Sequence, residues 1–199
     1  MSDDTQNDVS IRMSDKEVAL LTDCVLKSRF YLEFGAGGST EFAIRDRNRF
    51  VVSVESDKGW VDKIRTKENI KQAEADGILF FEHIDVGPVG AWGAPAGNDQ
   101  IRNWPKYFMA PFSKYDFNYD FVLIDGRFRA SCAFAAYPFI GDETLVAVHD
   151  YVNRPWFSDI EKFYDIVDIA DTLCVFKKRA RINHRSLYMS IMNSIFDYR

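Results

Sequence analysis

Short apolar segments alternate with stretches of helical periodicity along most of this chain, and that alternation limits the folds it can adopt. The segments that we predict to be strands are 30–34, 50–54, 78–84, 121–124, 145–148, 166–169 and 173–176. Strands separated by helices are typical of βαβ units in a parallel sheet. The last two segments lie too close together for a crossover helix, so they should be antiparallel to each other. The pattern predicts a doubly wound α/β fold with a mostly parallel seven-stranded sheet, one antiparallel edge strand and helices on both faces.

Helical periodicity divides the chain into a tail and one domain. Residues 1–13 are predicted to be a flexible N-terminal tail, and residues 14–199 a single domain. Ser14 and Glu17 have the spacing of a capping box at the start of the first helix. The segments that we predict to be helical are 14–27, 39–44, 58–74, 130–137, 155–164 and 181–199. Nothing in the sequence indicates a repeat or a linker.

The predicted C-terminal helix carries an apolar stripe. Leu187, Ile191 and Ile195 follow one another at intervals of about one turn. Two interpretations remain open: the stripe docks on its own domain, or it forms a homodimer contact.

Composition and charge exclude several classes of protein. The formal net charge is −5, so the chain lacks the positive field that draws proteins to nucleic acid. No apolar run approaches the roughly 18 residues of a membrane span, and the polar first residues are unlike a signal peptide. Cys24, Cys132 and Cys174 lie in apolar segments, as expected of buried thiols in a reducing compartment. We therefore expect a cytoplasmic protein that binds neither nucleic acid nor membrane.

A glycine-rich turn follows the first predicted strand, and acidic residues end the next ones. Glycines in the segment 35–38 let the backbone turn tightly and approach a ligand closely. Glu55 ends the second strand about 18 residues after Gly37, where an acid can accept hydrogen bonds from both hydroxyls of a ribose. Asp85 and Asp125 end the third and fourth strands. These positions predict a nucleotide-like ligand at the carboxyl edge of the sheet.

Two residues distinguish this turn from a dinucleotide-binding turn. Thr40 stands where the dinucleotide fingerprint has its third glycine. Glu33, directly before the turn, would repel a pyrophosphate and suits a ligand with cationic character. An NAD(P)-dependent oxidoreductase is therefore an alternative that these two residues disfavour.

The glycine-rich turn and the residue before it resemble the motif of a known family. The segment Glu33-Phe34-Gly35-Ala36-Gly37-Gly38-Ser39 is similar to the first motif of class I S-adenosylmethionine-dependent methyltransferases, whose sheet is Rossmann-like. The resemblance implies that S-adenosylmethionine is the cofactor. It implies that Glu33 faces the methionyl ammonium, directly or through water, that Glu55 binds the ribose, and that amides near the turn receive the methionyl carboxylate. The cofactor-binding residues that it implies are Glu33, Gly35, Ala36, Gly37, Ser39, Thr40, Glu55, Ser56, Asp85, Val86 and Asp125, with Asp85 and Val86 beside the adenine.

The candidate catalytic residues follow the fourth and fifth strands. They are Asp125, His149 and Asp150. His149 is a candidate general base because its ordinary pKa is near neutrality. Catechol-type O-methyltransferases hold a divalent cation on an acid after the fourth strand and an Asp-Asn pair after the fifth. Here Tyr151 replaces that Asn, so a divalent metal is considered but not favoured, and we predict no metal ligands.

The acceptor is predicted to be a small molecule methylated at oxygen. The segment 125–128 reads Asp-Gly-Arg-Phe, which differs from the Asn/Asp-Pro-Pro-aromatic motif of enzymes in the family that methylate amide and adenine nitrogens. The predicted loop 87–116 is a candidate acceptor wall or lid. Its rings and the nearby arginines suggest an aromatic or anionic acceptor: Trp92, Trp104, Tyr107, Phe108 and Phe112, with Arg127, Arg129 and Arg154. A non-catalytic S-adenosylmethionine-binding protein is the remaining alternative.

Overall fold

A single seven-stranded sheet organises the computed structural model, which describes residues 10–199. The strands are Phe30–Phe34 (β1), Phe50–Glu55 (β2), Leu79–His83 (β3), Phe121–Ile124 (β4), Leu145–Val148 (β5), Tyr164–Ala170 (β6) and Leu173–Lys178 (β7). Their order in the sheet is β3-β2-β1-β4-β5-β7-β6. All neighbours are parallel except β5 with β7 and β7 with β6. The predicted fold class is confirmed, and the reversed strand is β7, which lies between β5 and the edge strand β6.

Seven α-helices accompany the sheet within the described residues. They are Asp15–Leu26 (α1), Gly38–Ala43 (α2), Lys58–Ile64 (α3), Glu68–Ala75 (α4), Trp104–Lys114 (α5), Arg129–Ala136 (α6) and His184–Ser194 (α7). The predicted capping box is present at the start of α1: the Ser14 amide donates to Glu17 Oε2 at 2.7 Å, and the Glu17 amide donates to Ser14 Oγ at 3.3 Å.

The helices bury the two faces of the sheet in separate apolar cores. Successive side chains of a strand point to opposite faces, so Leu32 and Phe34 join the core beneath α5, α6 and α7. Tyr31 joins the other core, beneath α1 to α4. Both faces are thus covered, as a mostly parallel sheet requires.

The register of the central strands aligns the ends that carry the candidate site. Phe34 is paired with Val54 on one side and with Ile124 on the other, and Ile124 is paired with Val148. The residues that follow these four are Gly35, Glu55, Asp125 and His149. They therefore lie at one level along the carboxyl edge, around the point between β1 and β4 where the strand order reverses.

Three predicted segments differ from the observed structure. The predicted helix 58–74 is broken into α3 and α4. At the break the Thr66 hydroxyl donates a hydrogen bond to the Lys63 carbonyl, and such a bond competes with the backbone hydrogen bonds of a helix. The segment Pro155–Lys162 is a 3-10 helix. The predicted loop 87–116 contains α5, whose second residue is a proline, where the missing amide has no helical partner.

The C-terminal helix docks on its own domain. Leu187 is buried, and Ile191 and Ile195 pack against the core beneath α6. The Ser131 hydroxyl of α6 donates to the Ser194 carbonyl at 2.7 Å. The apolar stripe therefore packs against its own domain, as the first of the two interpretations states, and its side chains are engaged there rather than free for a homodimer contact. Among the described residues, no helix is both long enough and apolar enough to span a membrane.

Candidate functional site

A cavity of about 600 Å³ opens at the carboxyl ends of β1, β2, β4 and β5. Its walls include the glycine turn 35–39, Glu55 after β2, and Asp125, His149 and Asp150 after β4 and β5. Its volume lies within the range of small-molecule sites. The cavity thus occupies the topological switch point, where ligands of open α/β sheets bind.

The glycine turn brings two strand ends into close contact. Gly35 has a φ of +99°, and a side chain there would meet the Gly126 amide nitrogen at 2.7 Å. A side chain on Gly37 would meet no atom within 4 Å, so this residue is open toward the cavity. The Gly37 amide donates to Thr40 Oγ1 at 2.9 Å and is therefore engaged within the turn.

Glu33 lies beneath the turn, outside the cavity walls. Its side chain is fully buried, and its carboxylate accepts hydrogen bonds from four hydroxyls, those of Tyr31, Ser39, Thr40 and Ser53. Burial raises the pKa of Glu33, and the four hydroxyls oppose that rise. Because Glu33 does not line the cavity, its interaction with a methionyl ammonium, direct or through water, stays a prediction. Glu33 holds Ser39 and Thr40, and through Thr40 the Gly37 amide.

Glu55 is placed in the cavity as the sequence predicted. Its Oε1 accepts from the amides of Ser56 at 2.6 Å and Asp57 at 3.0 Å, and its Oε2 accepts from the Ala36 amide at 3.0 Å. Burial raises the pKa of this carboxyl group, against the effect of those amides. Because Oε2 receives a single hydrogen bond from the described residues, it can accept another from a ligand.

The residues predicted to flank the adenine are outside the cavity. Asp85 is exposed and accepts from the Gly87 amide at 2.9 Å, while Val86 is buried and its carbonyl accepts from the Trp104 indole at 3.0 Å. The reason is register: Glu55 is level with His83, so Asp85 lies two residues beyond the row of strand ends. Ser56, also predicted to bind the cofactor, donates from its hydroxyl to Gly93.

Gly93 and Asp57 are cavity residues that were not identified as ligand-binding from the sequence, whereas Trp60 was considered either a ring contact for the cofactor or part of the core. Gly93 closes over Glu55, since a side chain there would meet Glu55 Oε1 at 3.2 Å. Asp57 caps α3, and the Trp60 indole donates to the Ala36 carbonyl at 2.7 Å. These groups line the end of the cavity nearest β2. Asp57 carried no sequence signal beyond its place two residues after the predicted ribose acid.

The N-terminal segment 10–13 also lines the cavity. A side chain on Gly38 would clash with the backbone of Ile11, so the segment packs directly on the turn. The Arg12 guanidinium lies 4.9 Å from the ring centroid of Trp92. Part of the predicted flexible tail is therefore a wall of the site, whereas residues 1–9 lie outside the described residues.

Most rings of the predicted acceptor wall belong to the core. Trp104, Tyr107 and Phe108 are nearly or fully buried and contact Phe128. Phe112 also packs against this core. Only Trp92 of the five predicted rings lines the cavity. The prediction of an aromatic wall is thus wrong for α5, because the segment forms a helix that buries its rings against the sheet.

Asp125 and His149 form a hydrogen-bonded pair on the cavity wall. His149 Nδ1 lies 2.8 Å from Asp125 Oδ1, and His149 Nε2 lies 3.6 Å from Glu17 Oε1. Both ring nitrogens therefore face carboxylates, which leaves His149 poorly placed to take a proton from an acceptor. Asp125, whose side chain is one-third exposed, receives no hydrogen bond at Oδ2 from the residues that the structure describes. Of the two residues, Asp125 is therefore the one with an oxygen that no described residue engages.

We expect His149 to titrate above its ordinary value of about 6.5. Burial lowers the pKa of His149, but the hydrogen bond and charge of Asp125, together with Asp150 and Glu17, outweigh it and raise the pKa. The resulting stability is fully present below the unfolded-state pKa and is lost as pH rises through the folded-state value. NMR titration of the ring should also show the His149 pKa falling in Asp125→Asn. A wild-type His149 that titrates at or below 6.5 would contradict this pairing.

Asp150 is neutralised by arginines. Its Oδ2 accepts a hydrogen bond from Arg129 at 3.0 Å and forms an ion pair with the Arg154 guanidinium at 2.8 Å. Although burial opposes it, these contacts lower the pKa of Asp150. Among the described residues, Asp125, His149 and Asp150 place potential ligand atoms within 4.8 Å of one another, a grouping that could hold a metal ion. Asp150 Oδ2 already contacts two guanidinium groups, and Asp125 Oδ1 is engaged by His149 Nδ1, so this donor set is a poor fit to a divalent cation.

The fold matches solved structures of methyltransferases. A methyltransferase-like protein from Silicibacter pomeroyi aligns with a TM-score of 0.83 and 26% identity over 96% of this chain and 100% of that one. An RNA methyltransferase from Salinibacter ruber, solved with S-adenosyl-L-homocysteine, aligns with a TM-score of 0.52 and 16% identity over 87% and 97% of the two chains. A methyltransferase from Podospora anserina, also bound to S-adenosylhomocysteine, aligns with a TM-score of 0.53 and 11% identity over 84% of this chain and 80% of that one.

No protein-family model and no curated protein sequence matches the chain. The assignment therefore depends on the sheet order, the strand register and these structural alignments. By these criteria, the chain has the fold of the class I S-adenosylmethionine-dependent methyltransferases.

Proposed function

We propose that the protein transfers a methyl group from S-adenosylmethionine to an oxygen atom of a small-molecule acceptor. The observation that carries this proposal is the single cavity that joins Glu55 at one end to the Asp125–His149 pair at the other. A binding group for a nucleoside and a proton-accepting group are thus present in one space across the switch point.

The residues of the cavity fit this cofactor. Glu55 would accept a ribose hydroxyl at Oε2, and the open backbone at Gly37 leaves room for the methionyl part. Asp57, Trp60 and Trp92 line the end of the cavity near Glu55, where a carboxylate and two indole rings suit an adenosine. When bound, the cofactor supplies an electrophilic methyl group on a sulfonium centre.

Asp125 is the group that we assign to the acceptor. A hydroxyl nucleophile must lose its proton, and a carboxylate within hydrogen-bond reach accepts it. His149 holds Oδ1 of Asp125 at 2.8 Å, and Arg129 donates to the Asp125 main-chain carbonyl at 3.1 Å. These contacts fix the carboxylate and leave Oδ2 for the acceptor. His149 and Arg129 are therefore positioning residues in this proposal.

Two alternatives remain, and each has its own signature. An NAD(P)-dependent oxidoreductase would bring a pyrophosphate to the turn, where the Glu33 carboxylate, bonded to Ser39 and Thr40, would disfavour it. A non-catalytic S-adenosylmethionine-binding protein would keep Glu55 and the turn but methylate nothing.

The outer face of α7 carries exposed Tyr188, Met189 and Met192, and we propose it as the surface of a homodimer. The free, buried cysteines support the proposed cytoplasmic location.

Transfer of a labelled methyl group tests the proposed reaction. The protein is incubated with deuteriomethyl-labelled S-adenosylmethionine and the low-molecular-weight fraction of a cell extract, and products are identified by mass spectrometry. We expect a labelled methyl group on oxygen, and loss of the product in Asp125→Asn by roughly 100-fold or more. Label found only on nitrogen would contradict the oxygen assignment. Binding of the cofactor without any labelled product would favour the non-catalytic alternative.

A further inference from the structure

The Arg127 side chain lies on the wall of the cavity and has no hydrogen-bond or ion-pair partner among the described residues. Arg127 follows the β4 end, and its backbone is fixed because the Arg127 amide donates to Tyr107 Oη at 3.3 Å and its carbonyl accepts from Cys132 Sγ at 3.5 Å. Its side chain lines the cavity. The buried Nε has no hydrogen-bond partner among the described residues, and no carboxylate within that part of the chain forms an ion pair with Arg127.

The two neighbouring arginines are satisfied. Arg129 donates to the carbonyls of Gly126 at 3.0 Å and His149 at 2.6 Å, and also to Asp150. Arg154 pairs with Asp150 at 2.8 Å. Asp150 is therefore engaged by these two arginines. The charge of Asp125 acts on Arg127, but no carboxylate among the described residues forms an ion pair with it.

An unpaired guanidinium in this position is electrostatically unfavourable for the protein alone. Burial lowers the pKa of Arg127, and the positive charge of Arg129 lowers it further. Removing a charge from water without a counter-ion costs free energy. An anion bound beside Arg127 would reverse this cost, because a guanidinium binds carboxylates and phosphates through two parallel hydrogen bonds.

We infer that Arg127 binds an anionic group, a carboxylate or a phosphate, on the methyl acceptor. This inference deepens the proposed function and depends on it. Arg127 and Asp125 are separated by one residue at the same strand end, so an acceptor held by its anion at Arg127 has its hydroxyl near Asp125. Arg127 is then a residue that determines acceptor specificity.

The methionyl carboxylate of the cofactor has the same chemistry and is the competing source of the anion. The two sources are separated by titrating S-adenosylhomocysteine, which carries that carboxylate, into wild type, Arg127→Gln and the control Arg102→Gln. Arg102 is exposed and lies outside the cavity walls. The saturated proteins are then titrated with benzoate, with benzyl alcohol and with inorganic phosphate.

We expect S-adenosylhomocysteine to bind all three proteins alike. Benzoate or phosphate should bind wild type and Arg102→Gln, and should bind Arg127→Gln at least about tenfold more weakly, while benzyl alcohol shows no such difference. Thermal unfolding without ligand should give Arg127→Gln a Tm equal to or above that of wild type, since an uncompensated charge is removed.

Three results would overturn the inference. A loss of S-adenosylhomocysteine affinity in Arg127→Gln would assign the arginine to the cofactor. Equal anion binding by wild type and Arg127→Gln, or no anion binding by wild type, would show that Arg127 does not bind the acceptor. Failure of S-adenosylhomocysteine to bind wild type would instead refute the proposed function, so the two failures are distinguishable. If Arg127→Gln unfolds, Arg127→Lys is the second variant, because it keeps the charge but loses the paired geometry and should still weaken benzoate binding.

Discussion

Replacing Glu33 by alanine is expected to lower the free energy of unfolding by about 3 kcal/mol or more. The carboxylate is fully buried and is the shared acceptor for hydroxyls from β1, β2 and α2. Its removal leaves several buried hydroxyls without an acceptor and frees Thr40, which holds the Gly37 amide. Urea denaturation measures the loss, which is a large share of the stability of an ordinary domain.

The exposed Glu68 provides the matched control for Glu33. Its side chain is 86% exposed, so Glu68→Ala should change stability by no more than about 0.5 kcal/mol. Glu33→Gln, which keeps the size of the side chain, should fall between the two. If Glu33→Ala instead kept its stability and lost only cofactor affinity, Glu33 would be a direct ligand contact, as the family resemblance implied.

Replacing Glu55 by alanine is expected to weaken S-adenosylhomocysteine binding by about 100-fold, since a hydrogen bond to a charged group contributes roughly 1.5–3 kcal/mol. The carboxylate also fixes the amides of Ala36 and Asp57, so its loss disturbs the turn as well. Glu55→Gln keeps one acceptor oxygen and should lose less affinity. Calorimetric titration of both variants measures the effect.

Glu82 is the matched control for Glu55. It is a buried strand acid on neighbouring β3, but it accepts from the Tyr115 hydroxyl at 2.6 Å and does not line the cavity. Glu82→Gln should leave S-adenosylhomocysteine affinity unchanged. An affinity that survives in Glu55→Ala would show that Glu55 is not the ribose ligand.

The central strands could be predicted because they are short, largely apolar runs separated by helices, a pattern that is typical of buried parallel strands. The helix α5 could not, because Pro105 and Pro111 both indicate loop in a sequence. In the structure, Pro105 lies in the first turn and Pro111 lies inside the helix. Packing of Tyr107 and Phe108 against the sheet outweighs the propensity of these two prolines.

The position of a site residue could be predicted from the sequence where it depends only on where its own strand ends. It could not be predicted where it depends on the register between neighbouring strands. Glu55 and Asp125 directly follow paired strand residues and reach the cavity. Asp85 does not reach the cavity. The register of β2 and β3 places His83 level with Glu55, so Asp85 lies two residues further along the chain. The alternation of side chains along β1 was a signal that Glu33 points to the same face as Tyr31, away from the core of Leu32. Residues 10–13 carried no such signal, since their position depends on a backbone contact with Gly38.

Calorimetric titration of the wild-type protein with S-adenosylhomocysteine, NAD and NADP shows whether the cavity binds the proposed cofactor or a dinucleotide. The cavity between Glu55 and Asp125 predicts that S-adenosylhomocysteine binds at least about tenfold more tightly than either dinucleotide. Tight binding of NAD or NADP, with no heat from S-adenosylhomocysteine, would contradict the account.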